Sequence, residues 1–536
     1  MAKNKLLDAI EDEQNFTETE NGAGAYKSTL SACLDAFGAL GAARKWDERS
    51  IVEMYSKAFS EDPVLAIRMA FYFRDIREGQ GERRVFHIIL RWLAEHAPEY
   101  VENNLANILH YGYGKDYLCL LDTSLEKQAI DYIDRQLRAD CVARLAGKPI
   151  SLLAKWLPSE NSHSKQTKYY ARKICAQLDL RPSRYRKVLT TLRDYIGVLE
   201  TKMSARDWDK IDYERVPSKA GMLYGDAFFR HDEDRYVKYL TDAALGNAKM
   251  NAGALFPVDI VGGVIKKLGK HNRKDVVLYD TMWKNLKNYF EGREETGLCV
   301  VDTSGSMSGE PMNVAISLGM YCADKCRGPF QGHFITFSNT PELQKITGVD
   351  IFEKVRNIFR SNWEMNTDLE AVFDLILNTA KNAGCKQEDM PSKLYIISDM
   401  QFDEARGNEG YGGFVCYPSH YERRAVAKKT FMQSMKAKYE EAGYTMPTIV
   451  YWNVRASDCG MFQETFEGEN CCMVSGYSPS LFEAVMNGTV YVEEEVVKED
   501  GTVEKKKTAY IDPMTMMIKT LTSSRYDLVW DGALKK

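Results

Sequence analysis

The stretch Val300-Val301-Asp302-Thr303-Ser304-Gly305-Ser306-Met307-Ser308-Gly309 follows directly on an apolar run that begins at Leu298. A short apolar run bounded by small and polar residues reads as a buried strand ending in a tight loop. Asp302, Ser304 and Ser306 alternate with small residues on that loop, which gathers one carboxylate and two hydroxyls at the strand's carboxyl end. Hard oxygen donors of low total charge suit Mg²⁺ or another divalent cation, which usually keeps several waters. An ion held so lightly leaves a position open for a partner's acidic group, so the motif points to binding rather than catalysis. The plainer alternative is a serine-rich turn capping the helix that begins near Pro311.

Downstream of that loop, short apolar strands alternate with helices. Leu298–Val301, Gly332–Phe337, Lys393–Ile397, Thr448–Trp452 and Cys471–Val474 read as strands. Helical patterns lie between them at Met312–Cys326, Ile351–Phe359, Leu369–Ala383 and Arg424–Glu441, and Ser480–Met486 closes the series. Continuous apolar runs such as Leu394-Tyr395-Ile396-Ile397 fit strands buried on both faces, which predicts an α/β doubly wound, mostly parallel sheet. Past residue 489 the pattern predicts a β-hairpin over Val490–Val497 and Thr508–Ile511, then a helix around Pro513–Leu521.

Upstream the character is helical. Ile51, Met54, Tyr55, Ala58 and Phe59 form an amphipathic stripe, and similar patterns follow, separated by breakers such as Asp62-Pro63 and His96-Ala97-Pro98. Many short helices with short connections suggest a helical solenoid over residues 31–290, although no fixed-period repeat is present. Residues 1–30 are acidic and then Gly-rich, and are expected to be a flexible arm. The expected division is therefore 1–30, 31–290, 297–488 and 489–536.

Three loops should converge at the carboxyl ends of the strands, where open α/β sheets bind ligands. They are Asp302–Ser306, Asn366-Thr367-Asp368, and Ser398-Asp399-Met400 after the strand Leu394–Ile397. In order and spacing, Asp302, Ser304, Ser306, Thr367 and Asp399 resemble the von Willebrand factor A domain with its metal-ion-dependent adhesion site. The resemblance covers residues 297–488. It implies that Ser304, Ser306 and Thr367 contact Mg²⁺ through hydroxyls, and that Asp302 and Asp399 act directly or through coordinated water.

The helical half carries Arg74-Asp75-Ile76-Arg77-Glu78-Gly79-Gln80-Gly81-Glu82-Arg83, Tyr113-Gly114-Lys115-Asp116 and Lys155-Trp156-Leu157-Pro158. Trp208-Asp209-Lys210-Ile211-Asp212-Tyr213 and Gly253-Ala254-Leu255-Phe256-Pro257 follow. Together these resemble a family of cytosolic proteins that join an α-helical region to a C-terminal von Willebrand A domain. That architecture is similar to the TROVE family of the Ro autoantigen, whose ring of HEAT-like helices is closed by the A domain. The resemblance implies a cytoplasmic ribonucleoprotein, with misfolded RNA ends in the hole and small structured RNAs on the outer face.

At net charge −5 the whole chain does not advertise nucleic-acid binding, so any basic surface must be local. Between Lys155 and Arg206 twelve Lys/Arg stand against four Asp/Glu. Candidate RNA contacts there are Lys165, Lys168, Arg172, Lys173, Arg181, Arg184, Arg186, Lys187 and Arg193, interleaved with Trp156, Tyr169, Tyr170, Tyr185 and Tyr195. Cations would neutralise phosphates and aromatic rings would stack on unpaired bases. A second basic cluster is Arg74, Arg77, Arg83 and Arg84. Solvated helix faces, and structural pairs such as Arg74-Asp75 and Arg77-Glu78, are the competing readings.

Enzymatic patterns fail. Met307 stands where a Gly-x-Ser-x-Gly elbow needs its serine, no P-loop is present, and Asp302-Thr303-Ser304-Gly305 has no second copy to form a carboxylate dyad. His163 near Cys175 reads as a surface histidine beside a buried thiol. The twelve cysteines include no Cys-x-x-Cys pair, so zinc is not expected and the thiols read as reduced and cytosolic. No apolar run reaches the roughly 18 residues of a membrane span. The expectation is a non-enzymatic scaffold that binds RNA, with the alternatives of a protein-assembly adaptor or a self-assembling structural protein that grips an acidic residue at the metal site.

Overall fold

A computed structural model of the chain describes residues 14–253, 255–293, 296–337, 341–360, 367–403, 431–456, 461–497 and 503–532. Asn366 and the Gly- and Tyr-rich segment 406–420 lie outside the described residues. The chain divides into a helical unit, drawn from 46–255, 272–287 and 521–536, and an α/β unit, drawn from 1–45, 256–271 and 288–520.

In the helical unit the helices start where sequence chemistry dictates. The Asp47 carboxylate accepts from the Ser50 amide and opens the helix Glu48–Glu61. Asp62 does the same for Leu65, with Pro63 at the first position of Pro63–Arg74. Of the stripe expected on the first of these, Ile51, Tyr55 and Ala58 are buried, while Phe59 packs edge-on against Trp92 and Tyr100. The last residues of the chain return here. Arg525 donates to both carboxylate oxygens of the wholly buried Asp75, at 2.7 and 2.9 Å, and Trp530 packs on Tyr100. Asp75 is thus paired with Arg525, and Arg74 with Asp116, rather than with each other.

The α/β unit holds a six-stranded mixed sheet. Its strands are β3 (Gly297–Val301), β4 (His333–Thr336), β5 (Glu342–Lys345), β6 (Lys393–Ser398), β7 (Thr448–Asn453) and β8 (Cys471–Ser475). Their spatial order is β5-β4-β3-β6-β7-β8, with β5 antiparallel at one edge and the rest parallel. Numbered within the sheet, that is the doubly wound order 3-2-1-4-5-6, whose direction reverses between β3 and β6. Every residue of β3, β6, β7 and β8 is buried, as expected of strands covered on both faces. β5 is polar and mostly exposed, so no apolar run announced it.

Helix Glu310–Lys325 lies close against β3. A Cβ added to Gly319 would stand 2.4 Å from Val301 Cγ2, an approach only glycine permits. The hairpin expected near the chain's end is formed by β9 (Val490–Val497) and β10 (Val503–Tyr510).

Several boundaries differ from those read in sequence; helix Pro257–Lys267, placed there with the helical domain, belongs to the α/β unit. Residues 14–30, expected as part of a flexible arm, carry a hairpin of β1 (Phe16–Glu18) and β2 (Gly24–Tyr26). Its turn is fastened to the loop after β6: the Thr19 hydroxyl donates to the Phe402 carbonyl at 2.6 Å, and Gly22 bridges Asp403. Helix Ala32–Leu40, placed in sequence with the helical domain, joins the α/β unit instead, and Ser475 Oγ bonds the Phe37 carbonyl. The partners of these polar residues lie more than 380 positions away, so local composition carries no trace of them.

Candidate metal centre

β3 and β6 are adjacent and parallel, with Val301 opposite Ile397. Asp302 and Asp399 therefore leave the sheet side by side at the reversal of strand order. The backbone of Asp302 still bonds to Ile397 O at 3.0 Å, which continues the strand pairing by one residue.

The Asp302 carboxylate accepts the Ser304 amide at 2.8 Å on one oxygen and the Ser398 hydroxyl at 2.5 Å on the other. Ser304 Oγ and Ser306 Oγ lie 3.0 Å apart. The Ser306 side chain also acts on the Asp399 carboxylate, and the Asp399 charge on Asp302, so the four residues lie together. Asp302 is fully buried, Asp399 is 4% exposed and Ser304 5%. Burial, and then the neighbouring charge of Asp399, push Asp302 up to about 6. Burial likewise raises Asp399, against the opposing pull of Ser306 and of Arg455.

Thr367 also faces this end of the sheet, but its bonds run elsewhere. Its hydroxyl lies 2.9 Å from Gln401 O and 3.1 Å from Asp403 Oδ1, and it accepts the Asn21 amide at 3.2 Å. Among the described residues no hydrogen bond joins Thr367 to Ser304 or Ser306. The structure brings together Asp302, Ser304, Ser306 and Asp399; Thr367 is held to the same loop two residues past Asp399.

Met400 takes the left-handed backbone conformation, φ +66°, between Asp399 and Gln401. That conformation is uncommon for a residue with a side chain and recurs at functional turns. The Met400 amide bonds Ser398 Oγ at 3.0 Å, so one hydroxyl fixes both the strained turn and the Asp302 carboxylate.

Sequence reading missed four contributors. Ser398 is the last residue of β6, and its position directly before Asp399 was the available signal. Arg455 follows β7 at the same edge of the sheet; it is exposed and donates to the Ser306 carbonyl. Asn21 and Glu20 come from the N-terminal hairpin, with the Glu20 amide on Gln401 Oε1 at 2.8 Å and the Glu20 charge acting on Asp399. Nothing local to them signals the site.

Among the described residues no three His, Cys, Asp or Glu side chains cluster as a metal site. The donor set here is of a different kind: two adjacent buried carboxylates with neutral hydroxyls between them. Such a set fits a divalent cation, because the ion would replace the repulsion between Asp302 and Asp399 with attraction to both.

The proposed RNA contacts separate into two groups. Lys173 Nζ is bound to Asp122 Oδ1, Glu126 Oε2 and the Leu121 carbonyl at 2.5–2.7 Å. Arg193 spends its guanidinium on the Ala154 and Leu157 carbonyls and on Ser159 Oγ. Both therefore hold the fold together. Lys165, Arg172, Arg181, Arg184, Arg186 and Lys187 are exposed and Lys168 is half-buried. Of the interleaved aromatics, Tyr185 belongs to the core, with its hydroxyl on the Pro158 carbonyl at 3.1 Å.

Comparison with known proteins gives two family matches that meet where the helical pattern gives way to strands. A domain of unknown function, DUF2828, matches residues 19–141 and 134–288, and another, DUF7788, matches residues 296–521. The chain is also similar to "Uncharacterized protein L728" of Acanthamoeba polyphaga mimivirus, with 32% identity over 513 residues that span 88% of this chain and 85% of the relative. No helix among the described residues is long and apolar enough to cross a membrane.

Proposed function

We propose that this chain, which belongs to the DUF2828 family, is a non-enzymatic binding scaffold. In this reading the α/β unit is a von Willebrand A-like domain that binds its ligand through Mg²⁺. The helical unit is a TROVE-like, HEAT-like layer that binds RNA. The observation that supports it most is the joining of Asp302, Ser304, Ser306 and Asp399 at the reversal of strand order.

Asp302, Ser304, Ser306 and Asp399 would hold the ion, with Thr367 the fifth expected ligand. The ion would supply a Lewis-acidic point for a partner's carboxylate. Ser398 keeps Asp302 oriented, and the fastened hairpin keeps the loop after β6 in place. The exposed basic face formed by Lys165, Arg172, Arg181, Arg184, Arg186 and Lys187 would neutralise RNA phosphates.

A second reading, a protein-assembly adaptor, is favoured by Arg455. An exposed guanidinium beside Ser306 would pair with the same acidic partner residue that the ion attracts.

Purification of the full chain with separate nuclease and chelator arms tests both. The scaffold reading expects co-purifying RNA, bound with a steep salt dependence and lost in the triple variant Arg184→Glu, Arg186→Glu, Lys187→Glu. Background RNA together with a protein released by chelation would favour the adaptor. RNA affinity unchanged by the triple charge reversal would contradict the role given to the basic face.

A further inference from the structure

In the helical unit, aromatic rings and cations also meet at the start of the basic segment, where Lys155 and Trp156 lie beside residues that precede it. Residues 112–116, Gly-Tyr-Gly-Lys-Asp, turn from helix Leu105–Tyr111 into the 3₁₀ turn Gly114–Leu120. Gly114 lets this turn approach helix Leu153–Trp156 closely: a Cβ there would stand 2.9 Å from Leu153 Cδ1 and 3.1 Å from Trp156 Cβ. The approach stacks Tyr113 on Trp156, with ring centroids 4.6 Å apart and planes 29° off parallel.

Cations surround the pair. The guanidinium of Arg74 is 4.5 Å from the Tyr113 centroid and that of Arg83 5.9 Å. The Lys155 and Lys115 ammonium groups are 5.1 and 5.7 Å from the Trp156 centroid. Arg74 is only 1% exposed; its Nε binds Asp116 at 2.7 Å, and its Nη2 has no hydrogen-bond partner. The ring of Tyr113 takes the place of the missing acceptor.

Asp116 does not balance the remaining charge, because Arg74, the Tyr113 amide at 3.0 Å and His87 Nε2 at 2.7 Å occupy it. Burial holds His87 below its ordinary value despite Asp116, so this last contact is a hydrogen bond from a neutral ring. Arg83 and Lys115 are exposed, Lys155, Tyr113 and Trp156 are half-buried, and none of the three cations forms an ion pair among the described residues.

We infer that this patch binds one nucleotide unit of a single-stranded nucleic acid: a base laid on the Tyr113–Trp156 stack, its phosphates among Arg83, Lys115 and Lys155. The cationic rim disfavours a cationic ligand. A duplex is disfavoured because its bases are already stacked. Arg193, whose bonds to the Ala154 and Leu157 carbonyls hold the Trp156 turn, is a positioning residue here rather than a phosphate contact.

This rests on the RNA-binding reading above and moves its specific contact from the basic helices to Tyr113 and Trp156. The test is fluorescence anisotropy of the full chain with a labelled single-stranded oligouridylate, with a duplex of equal length as the second arm. Trp156→Ala should weaken single-strand binding roughly ten-fold, the size of one base–aromatic stack, while Trp156→Phe retains most of it. Arg83→Glu with Lys115→Glu, both exposed, should weaken binding and flatten its salt dependence even if Trp156→Ala folds poorly.

Wild-type binding unchanged in these variants but lost in the triple variant at Arg184, Arg186 and Lys187 overturns this inference and leaves the broader reading standing. No binding of any nucleic acid by the wild type overturns both. Equal affinity for the duplex overturns the stacking site.

Discussion

Glu464 is 8% exposed, and its Oε1 has no hydrogen-bond partner; burial pushes its carboxyl from an ordinary 4.5 up to about 7. The folded chain therefore keeps a proton that the unfolded chain releases between those values. Stability contributed by the protonated form falls as pH rises through this window and is level above it. Glu464→Gln, which keeps the shape without the charge, should stabilise the protein at about pH 8 by roughly 1–3 kcal/mol and leave it little changed at about pH 4.5. Urea midpoints of the two proteins at both pH values check this; equal midpoint gaps would contradict it.

How much of the site could be read in sequence follows from how local each contact is. Asp302, Ser304 and Ser306 lie within five positions, and Asp399 follows an unmistakable apolar strand, so their meeting was legible. Thr367 was legible as a residue on a neighbouring loop, but its bonds to Gln401 and Asp403 were not. The basic segment shows the limit of counting charges. Lys173 and Arg193 look like their neighbours in sequence, yet the acidic and carbonyl partners that absorb them come from residues 121–126 and 154–159.

Among the elements, the buried parallel strands were legible to within a residue or two because their apolar runs have no competing interpretation. β5 and the β1–β2 hairpin were not: β5 is a polar, exposed edge strand against β4, and the hairpin's turn is fastened by partners distant in sequence. The packing of helix Glu310–Lys325 on β3 rests on Gly319, where any side chain meets Val301. Gly319→Ala should destabilise the α/β unit by about 1–3 kcal/mol, despite alanine's better helix propensity. A urea denaturation series checks the sign. Unchanged or increased stability would mean that helix and strand separate at little cost.

The chain as a whole interleaves its two units, a feature that neither periodicity nor composition could disclose. Its N-terminal residues belong with the sheet and its last residues with the helices. Arg525 is the clasp of that second return, and its loss would leave Asp75 buried without its cation. Arg525→Ala should cost about 3–5 kcal/mol, far more than an exposed ion pair. A melting transition lowered by only a degree or two would show that the tail is an ornament on the helical unit.

Calorimetric titration of Mg²⁺ into the full chain, beside Ser304→Ala and Asp399→Asn, addresses the cation most directly. One ion per wild-type chain is expected, with affinity at least roughly ten-fold weaker in each variant and far-ultraviolet circular dichroism unchanged. No binding by the wild type, or the same affinity in all three proteins, would contradict a metal centre at Asp302, Ser304, Ser306 and Asp399.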